Sequence, residues 1–386
     1  MIFSAAIVAT SCKDDPNNIP VPLHLVSATT LQTIPKATLA QAGATYFGLE
    51  AALFKSDVRV VELVYKTEYP AGTPLNVSGI AAVPVDVAPN FPTMIYLHGT
   101  IVEGQAPTEV PEGYTDFALL ASITQGVFLL PDYIGYGESD DVLHPYCHGP
   151  SLAQTSFDMI RAYKEHAPAN FNSNIFITGY SEGGYAAVAL HKKIQETSAS
   201  GMKVSKTVAG SGPYDYVAFA EEFLAKDAVL DFEELGSYLW AISMFKIDYG
   251  YSRPWSQILS AEDDAKLSAI NYDMGYFRPV MASINFNPHD LFQQSWREGA
   301  INGTNTEFIG HLKANSVVDF APSDSLIFVY GDADNWVYPQ STINAYNTMK
   351  NKGNPVKAYL QEGGDHATTA DLWFSVLFSR LLMEMQ

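Results

Sequence analysis

Short apolar runs recur along the chain, and each of them ends in glycine or polar residues. They are separated by stretches with a helical pattern and span Thr93–Leu97, Gly126–Leu130, Ile175–Thr178, Val204–Ala209 and Leu326–Tyr330. Strands that are apolar on both faces and spaced by helices are typical of a parallel sheet covered on each side. The pattern therefore predicts a doubly wound α/β fold, in which chemistry gathers at the carboxyl ends of the strands.

A different pattern precedes these runs. Between Val58 and Val85, two stretches rich in valine and other strand-forming residues flank a short segment, Pro70–Pro74, that contains two prolines and a glycine. Strand-forming stretches joined by such a turn are typical of an antiparallel hairpin. We expect this hairpin to precede the parallel part of the sheet.

The segment between the fourth and fifth apolar runs has no strand pattern of comparable quality. Residues 213–321 are rich in aromatic side chains and compatible with helices, so we interpret them as a helical cap inserted above the carboxyl edge of the sheet. Most of the aromatics are expected to pack within the cap, since an added layer needs its own core. The predicted division is a leader and tether over 1–22, an α/β core over 23–212 and 322–386, and the cap.

The composition and net charge of the chain exclude several classes of protein and of binding partner. The chain has 386 residues, of which 47% are hydrophobic, so it can bury a large core and is neither disordered nor fibrous. Its formal charge of −20 repels phosphate backbones, which excludes nucleic acid as an expected partner. The same charge disfavours docking on anionic lipid through a basic patch, and solubility is the simplest explanation for it.

The two cysteines have different contexts. Cys12 follows the mostly apolar stretch Ile2–Ala9 and two small residues, which resembles the end of a bacterial lipoprotein signal peptide, although Met1 is not followed by the usual lysine or arginine. This predicts an exported lipoprotein, periplasmic or at the outer membrane or cell surface, that meets the membrane only through a lipid on Cys12. The alternative is a ragged terminus with an incidental cysteine. Two cysteines cannot form a disulfide framework.

Cys147 lies between His144 and His148, which raises the alternative of a metal site. A fourth ligand and the close spacing of structural zinc sites are missing, so we expect no metal and interpret Cys147 as a buried free thiol. No cofactor is expected either, because the first parallel strand is not followed by a glycine-rich dinucleotide fingerprint.

The third apolar run leads into a GxSxG motif. Gly179, Ser181, Glu182 and Gly183 lie between that predicted strand and the helical stretch YAAVALHKKIQ. A nucleophilic serine in this setting occupies a strained turn, and the glycines leave room for the turn and for the helix that follows. The backbone N–H after the serine lies at the helix start, where it can bind a developing oxyanion. Ser181 is therefore the candidate nucleophile.

A serine hydroxyl needs a base, and the base needs a carboxylate to orient it. Asp332 and Asp334 come just after the last apolar run, and His366 lies in a glycine-rich loop before the final helical stretch. The order Ser, Asp, His is the one expected of α/β-hydrolases. Both aspartates are open candidates for the acid, the simpler role for Asp332 being to hydrogen-bond its own loop.

With these residues the chain resembles the α/β-hydrolases of the esterase and lipase branch, from Val58 to the C-terminus. The stretch Pro131–Ser139 and the helix after it are similar to bacterial relatives of secreted lipases. The resemblance implies a GxxDxxV pattern starting at Gly331, which makes Asp334 the acid. It also implies that TMIYLHGT carries the second oxyanion donor.

In that stretch, His98, Gly99 and Thr100 match the HG motif of this fold. We expect the backbone N–H groups of Thr100 and Glu182 to form the oxyanion hole, with His98 ordering the loop. By position, Tyr180 and Glu182 should face the site, without an assignable role for their side chains.

The leading hypothesis is hydrolysis of carboxylic esters, of a small-molecule, lipid or glycan substrate, through an acyl-enzyme on Ser181. A serine peptidase and an esterase that removes acyl groups from polysaccharides use the same triad and remain alternatives. So does a surface binding module that keeps the fold without turnover, although such proteins usually lose a triad member and this chain has candidates for all three.

Overall fold

A computed structural model of the chain describes residues 23–87, 92–101, 104–110, 114–197, 200–268 and 284–384. These residues build one nine-stranded sheet. Its strands are β1 (Leu25–Ile34), β2 (Val58–Glu68), β3 (Pro74–Pro84), β4 (Thr93–Leu97), β5 (Phe128–Pro131), β6 (Asn174–Tyr180), β7 (Lys203–Gly210), β8 (Ser325–Gly331) and β9 (Val356–Gln361).

Helices cover both faces of the sheet. They are α1 (Lys36–Phe47), α2 (Thr115–Thr124), α3 (Gly149–His166), α4 (Glu182–Glu196), α5 (Tyr216–Ala225), α6 (Phe232–Asp248), α7 (Ala261–Ser268), α8 (Pro288–Leu291), α9 (Gln294–Ile301), α10 (Thr306–Asn315), α11 (Pro339–Asn351) and α12 (Thr369–Glu384). One apolar cluster packs α3 and α4 against the sheet, and a second cluster packs α2 and α12 against it. The predicted doubly wound architecture is confirmed.

The strand order is β1-β2-β3-β5-β4-β6-β7-β8-β9. Strands β1, β2 and β3 are antiparallel to one another, and β3 is antiparallel to β5. All the remaining pairs, from β5 through β9, are parallel. The carboxyl ends of β4, β6 and β8 therefore meet at one edge of the sheet, where the candidate residues were predicted to gather.

The antiparallel hairpin is confirmed, with β2 and β3 in continuous register from Val58–Pro84 to Glu68–Pro74. The predicted start of β5 at Gly126 was wrong by two residues. Gln125 adopts a left-handed conformation that ends α2, and the Gly126 N–H donates to the Thr124 hydroxyl, so these residues close the helix before the strand begins.

The two edge strands, β1 and β9, were not predicted, because they lack the apolar pattern of the central strands. Strand β1 pairs only with β2, most of its residues are exposed, and irregularities at Leu25/Ser27 and Thr30/Gln32 interrupt its period of two. Strand β9 on the other edge is only partly buried. An edge strand faces water along one side and needs no continuous apolar run, so the pattern used to find the central strands does not apply to it.

In the described parts of the segment between β7 and β8, helices α5 to α10 occur together with a single bridge between Leu259 and Phe292. Some of its aromatics, such as Trp296 and Phe308, are fully buried within it. The division into leader, core and cap stays a prediction, and Cys12 lies outside the described residues. No helix in the described ranges is both long and apolar enough to cross a membrane.

Candidate active site

Ser181 lies in a sharp turn between β6 and α4. Its backbone has φ 59° and ψ −126°, a conformation that costs a non-glycine residue free energy and is typical of functional sites. A Cβ atom on Gly179 would overlap the carbonyl of Gly183, and one on Gly183 would overlap the carbonyl of Leu97. Direct crowding therefore explains why glycine is needed on both sides of the serine, as predicted.

The structure brings the three predicted triad residues together. His366 Nε2 lies 3.0 Å from Ser181 Oγ, and His366 Nδ1 lies 2.8 Å from Asp334 Oδ2. Because a carboxylate only accepts, Nδ1 carries a proton, and in the neutral imidazole the lone pair of Nε2 then faces the serine hydroxyl. Asp334 is buried, and its other oxygen accepts the backbone N–H groups of Trp336 and Val337 at 3.1 and 2.8 Å.

Tyr180 has a role that the sequence did not reveal. Its hydroxyl donates to the backbone carbonyl of His366 at 2.5 Å, and burial raises its pKa, so it remains a donor at neutral pH. The rings of Tyr180 and Trp336 each lie 5.3 Å from the imidazole. Tyr180, the residue before the nucleophile, therefore holds the His366 loop through this hydrogen bond and ring contact.

The other two nearby aspartates bond loop backbone instead of the imidazole. Asp332 accepts the N–H of Gly363 at 2.6 Å, so the expectation that it bonds its own loop was wrong: its partner lies 31 residues later, in the loop after β9 that leads to His366. Asp365 accepts the N–H and hydroxyl of Thr368 at 2.8 and 2.7 Å, and these bonds lower its pKa. The carboxylate within hydrogen-bonding distance of the imidazole is that of Asp334.

The loop after β4 lies against the serine turn. A Cβ atom on Gly99 would be 3.2 Å from the carbonyl oxygen of Tyr180 and 3.5 Å from Ser181 Cβ. Thr100 follows directly, and Glu182 begins α4 on the other side of the serine. Both residues expected to supply oxyanion donors thus lie next to the nucleophile in space or in sequence, and their role in binding an oxyanion stays a prediction.

His98 is buried, and its ring faces backbone carbonyls on both sides. Nδ1 lies 2.8 Å from the carbonyl oxygen of Gly99, and Nε2 lies 3.2 Å from that of Asp132. Burial lowers the pKa of His98. These contacts join the loop after β4 to the loop after β5, as expected of a histidine that orders its loop.

The expectation that Glu182 faces the site was wrong for its side chain. The carboxylate is 1% exposed; it accepts the N–H of Cys147 at 2.8 Å and lies 3.1 Å from His144 Nε2. The first turn of α4 packs against the loop after β5, which buries this side chain. No signal near the serine motif could have found these partners, because they come from a loop 35 to 38 residues earlier.

Cys147 is a buried free thiol, as expected, and burial raises its pKa well above the ordinary value. Its own backbone is in the left-handed region, with φ 52°. Within the described part of the chain, no group of three or more histidine, cysteine, aspartate or glutamate side chains is arranged to hold a metal ion.

A small pocket of about 20 Å³ lies beside the serine. Its walls come from the loop after β5, from α5 and α6, and from the loop after β8, and they include Tyr146, Cys147, Glu182, Pro213, Tyr216, Phe219, Ser237, Tyr238, Ala241, Trp336 and Val337. A second, entirely apolar cavity of about 30 Å³ shares four of these wall residues, Tyr216, Phe219, Tyr238 and Ala241. The two cavities therefore adjoin each other behind Ser181.

Solved structures similar to this one cover more than nine-tenths of this chain. A protein from Legionella pneumophila assigned as a hydrolase has a TM-score of 0.80 at 22% identity, covering 94% of this chain and 98% of the other. The rice cell wall degrading esterase LipA from Xanthomonas oryzae has a TM-score of 0.74 at 21% identity, with 95% and 97% covered. Candida antarctica lipase A has a TM-score of 0.63 at 16% identity, with 91% and 79% covered.

The sequence matches no protein-family model and no curated protein sequence. At 16 to 22% identity, the structural similarity concerns the fold, and function has to be argued from the site itself. The mostly parallel sheet, the serine turn between β6 and α4, and these neighbours together establish that the chain has the α/β-hydrolase fold.

Proposed function

We propose that the protein is a serine hydrolase that cleaves carboxylic esters through an acyl-enzyme intermediate. The observation that carries this proposal is the continuous hydrogen-bonded chain from Ser181 through His366 to Asp334, which ends at the pocket beside the serine. A serine whose hydroxyl meets the unprotonated nitrogen of an oriented imidazole is an activated nucleophile. The esterases and lipases among the similar structures support the same class of reaction.

In the proposed reaction, Ser181 Oγ attacks the ester carbonyl while its proton passes to His366 Nε2. Asp334 stabilises the imidazolium that forms, and the N–H groups of Thr100 and Glu182 bind the tetrahedral oxyanion. His366 then protonates the leaving alkoxide, which departs as an alcohol and leaves an acyl-serine. Water, deprotonated by the same imidazole, attacks the acyl-serine and releases the carboxylic acid.

The pocket supports an ester with an apolar acyl group. Five of the eleven wall residues beside Ser181 are aromatic, and the adjoining cavity has no polar lining. Burial of each methylene group contributes about 0.8 kcal/mol, so an acyl chain that reaches the second cavity gains affinity over acetate. A peptide substrate would need polar partners for its backbone, and an apolar cavity offers none.

The experiment that tests the proposal is hydrolysis of p-nitrophenyl esters, from acetate to long acyl chains, beside aminoacyl p-nitroanilides. We expect turnover of the esters, with a preference for chains longer than acetate, and its loss in Ser181→Ala by a factor of at least about 10³. The control is Ser375→Ala, at an exposed serine on α12. Turnover of the anilides but not of the esters would contradict the assignment and favour the peptidase.

A variant at the shared wall tests where the acyl chain lies. Ala241 of α6 lines both cavities, so Ala241→Phe should close the passage between them. We expect the preferred acyl chain to become shorter while turnover of the acetate ester is retained. The control on the same helix is Ile247→Phe, at an exposed position. An unchanged chain-length profile in Ala241→Phe would place the acyl group elsewhere.

A further inference from the structure

Both residues expected to donate the oxyanion N–H groups are tied by their side chains to one segment of the loop after β5. We call this segment, His144–Cys147, the brace. It carries no triad residue, and it contacts Thr100 after β4 and Glu182 at the start of α4. Those two residues belong to different elements, so the brace is a common support for the two sides of the expected oxyanion hole.

The first contact joins the brace to Thr100. The hydroxyl of Tyr146 lies 2.8 Å from Thr100 Oγ1. Tyr146 is buried, and its ring stacks on Trp240 of α6 with centroids 4.3 Å apart and an interplanar angle of 15°. A ring fixed by stacking holds its hydroxyl in one place, and the bond to the threonine side chain therefore fixes the backbone next to the nucleophile.

The second contact joins the brace to Glu182. One oxygen of its buried carboxylate accepts the Cys147 N–H and lies next to His144 Nε2, while His144 Nδ1 lies 2.7 Å from the carbonyl oxygen of Ile134. A carbonyl only accepts, so Nδ1 carries a proton. The contact at Nε2 then needs one more proton, either on the imidazole or on the carboxyl group.

In both arrangements the pair of His144 and Glu182 carries no net charge. This matters because Glu182 is the residue after the nucleophile. A buried carboxylate without its partner would be costly, and its negative charge would oppose an oxyanion forming at the serine. His144 thus removes the electrostatic penalty of placing a carboxylate there, and the carboxylate in turn holds Cys147 and the start of α4 together.

We propose that the brace sets the positions of the two oxyanion N–H groups, with Tyr146 and His144 as positioning residues for transition-state binding. The inference rests on the proposed ester hydrolysis. Oxyanion donors act when they lie about 2.7–3.1 Å from the oxyanion, and removing one costs about 10²–10³ in kcat. Loss of a residue that only aligns a donor should cost less, and the cost should appear in kcat rather than in KM.

A double-mutant cycle tests the Thr100 side of the brace. Tyr146→Phe keeps the stacked ring and removes the hydroxyl, and Thr100→Val keeps the backbone N–H and removes Oγ1. We expect each variant to lower kcat for a short p-nitrophenyl ester about tenfold with little change in KM, and the double variant to be no worse than either. The control is Tyr346→Phe, whose hydroxyl contacts Lys350 on the exposed side of α11.

A rescue experiment tests the contact between the brace and Glu182. His144→Phe leaves the carboxylate buried without its partner, so kcat should fall more than in Tyr146→Phe. His144→Phe combined with Glu182→Gln removes the charge and keeps an acceptor for the Cys147 N–H, so most of the lost kcat should return. A merely structural role for His144 predicts no such return, since the double variant lacks the same ring.

Either of two outcomes would overturn the proposed role of the brace. One is a wild-type kcat in Tyr146→Phe, and the other is a double variant in which the losses of kcat from Tyr146→Phe and Thr100→Val simply add. Labelling of the serine by a phosphonate separates this failure from failure of the proposed function. If the wild type and Tyr146→Phe are labelled at Ser181 at equal rates, the brace alone is refuted. If the folded wild type is not labelled, the proposed function is refuted and the brace with it.

Discussion

At the scale of single residues, the choice between two neighbouring aspartates shows how contacts decide a role. Asp332 and Asp334 both follow β8, and only a family pattern separated them in the sequence. In the structure Asp334 lies 2.8 Å from His366 Nδ1 and holds two further backbone N–H groups, whereas Asp332 holds the N–H of Gly363. The buried carboxylate fixes the imidazole, and the exposed one fixes a loop.

Asp334→Asn should lower kcat for p-nitrophenyl esters by about 10³–10⁴, since an amide at this position favours the wrong tautomer of His366. Asp332→Asn keeps an acceptor for Gly363 and should retain activity close to that of the wild type. Steady-state kinetics of both variants at one pH make the comparison. Nearly full activity in Asp334→Asn would refute its assignment as the acid.

The three candidate triad residues, which the structure brings into contact, could be found in the sequence because each carries a local signal: glycines around the serine, and an aspartate and a histidine just beyond strand ends. The partners of Tyr180 and Glu182 could not. The hydroxyl of Tyr180 bonds a backbone carbonyl 186 residues later, and the carboxylate of Glu182 meets a loop 35 to 38 residues earlier. Such contacts depend on how the loops pack, which no local pattern records.

At the scale of elements, the serine turn depends on the close approach of α4 to β4. The first turn of the helix passes so near the end of the strand that a methyl group on Gly183 has no space beside the carbonyls of Leu97 and His98. Central elements of this kind were predictable because they are apolar and regular. The edge strands were not, because exposure to water removes the pattern.

Gly183→Ala should therefore shift α4 away from β4, lower the melting temperature and abolish ester hydrolysis. Gly310→Ala is the matched control: it lies in α10, a Cβ atom there meets nothing within 4 Å, and alanine should stabilise the helix by about 0.5–1 kcal/mol. Thermal unfolding and activity of both variants test this. An active, stable Gly183→Ala enzyme would contradict the account of the turn.

At the scale of the whole molecule, a buried carboxylate joins the antiparallel hairpin to the helices that follow β7. Asp248 at the end of α6 accepts the hydroxyl of Tyr69 at 2.8 Å, while its other oxygen has no hydrogen-bond partner and lies 3.9 Å from His148 Nδ1. The side chain is 3% exposed, and burial raises its pKa to about 6.

Because the pKa of Asp248 is raised on folding, the folded state binds this proton more tightly than the unfolded state. Its contribution to stability falls as pH rises from about 4 to about 6 and stays low above that. Asp248→Asn does not titrate and keeps an acceptor for Tyr69. The variant should match the wild type near pH 4 and exceed its stability at pH 8 by at most about 3 kcal/mol.

Melting temperatures of wild type and Asp248→Asn between pH 4 and pH 8 test this prediction. The difference between the two proteins removes the contributions of titrating groups that do not interact with Asp248. A variant that is less stable than the wild type at pH 8 would show that the ionised carboxylate is favourable in this place.

The central claim, that Ser181 is an activated nucleophile, is tested most directly by reaction with a p-nitrophenyl alkylphosphonate. The reagent releases one p-nitrophenolate for each serine it modifies and leaves a stable adduct that peptide mapping can locate. We predict release of one equivalent, an adduct on the peptide that contains Ser181, and no reaction in Ser181→Ala. A folded wild-type protein that releases none, or that carries the adduct on another residue, would contradict the claim.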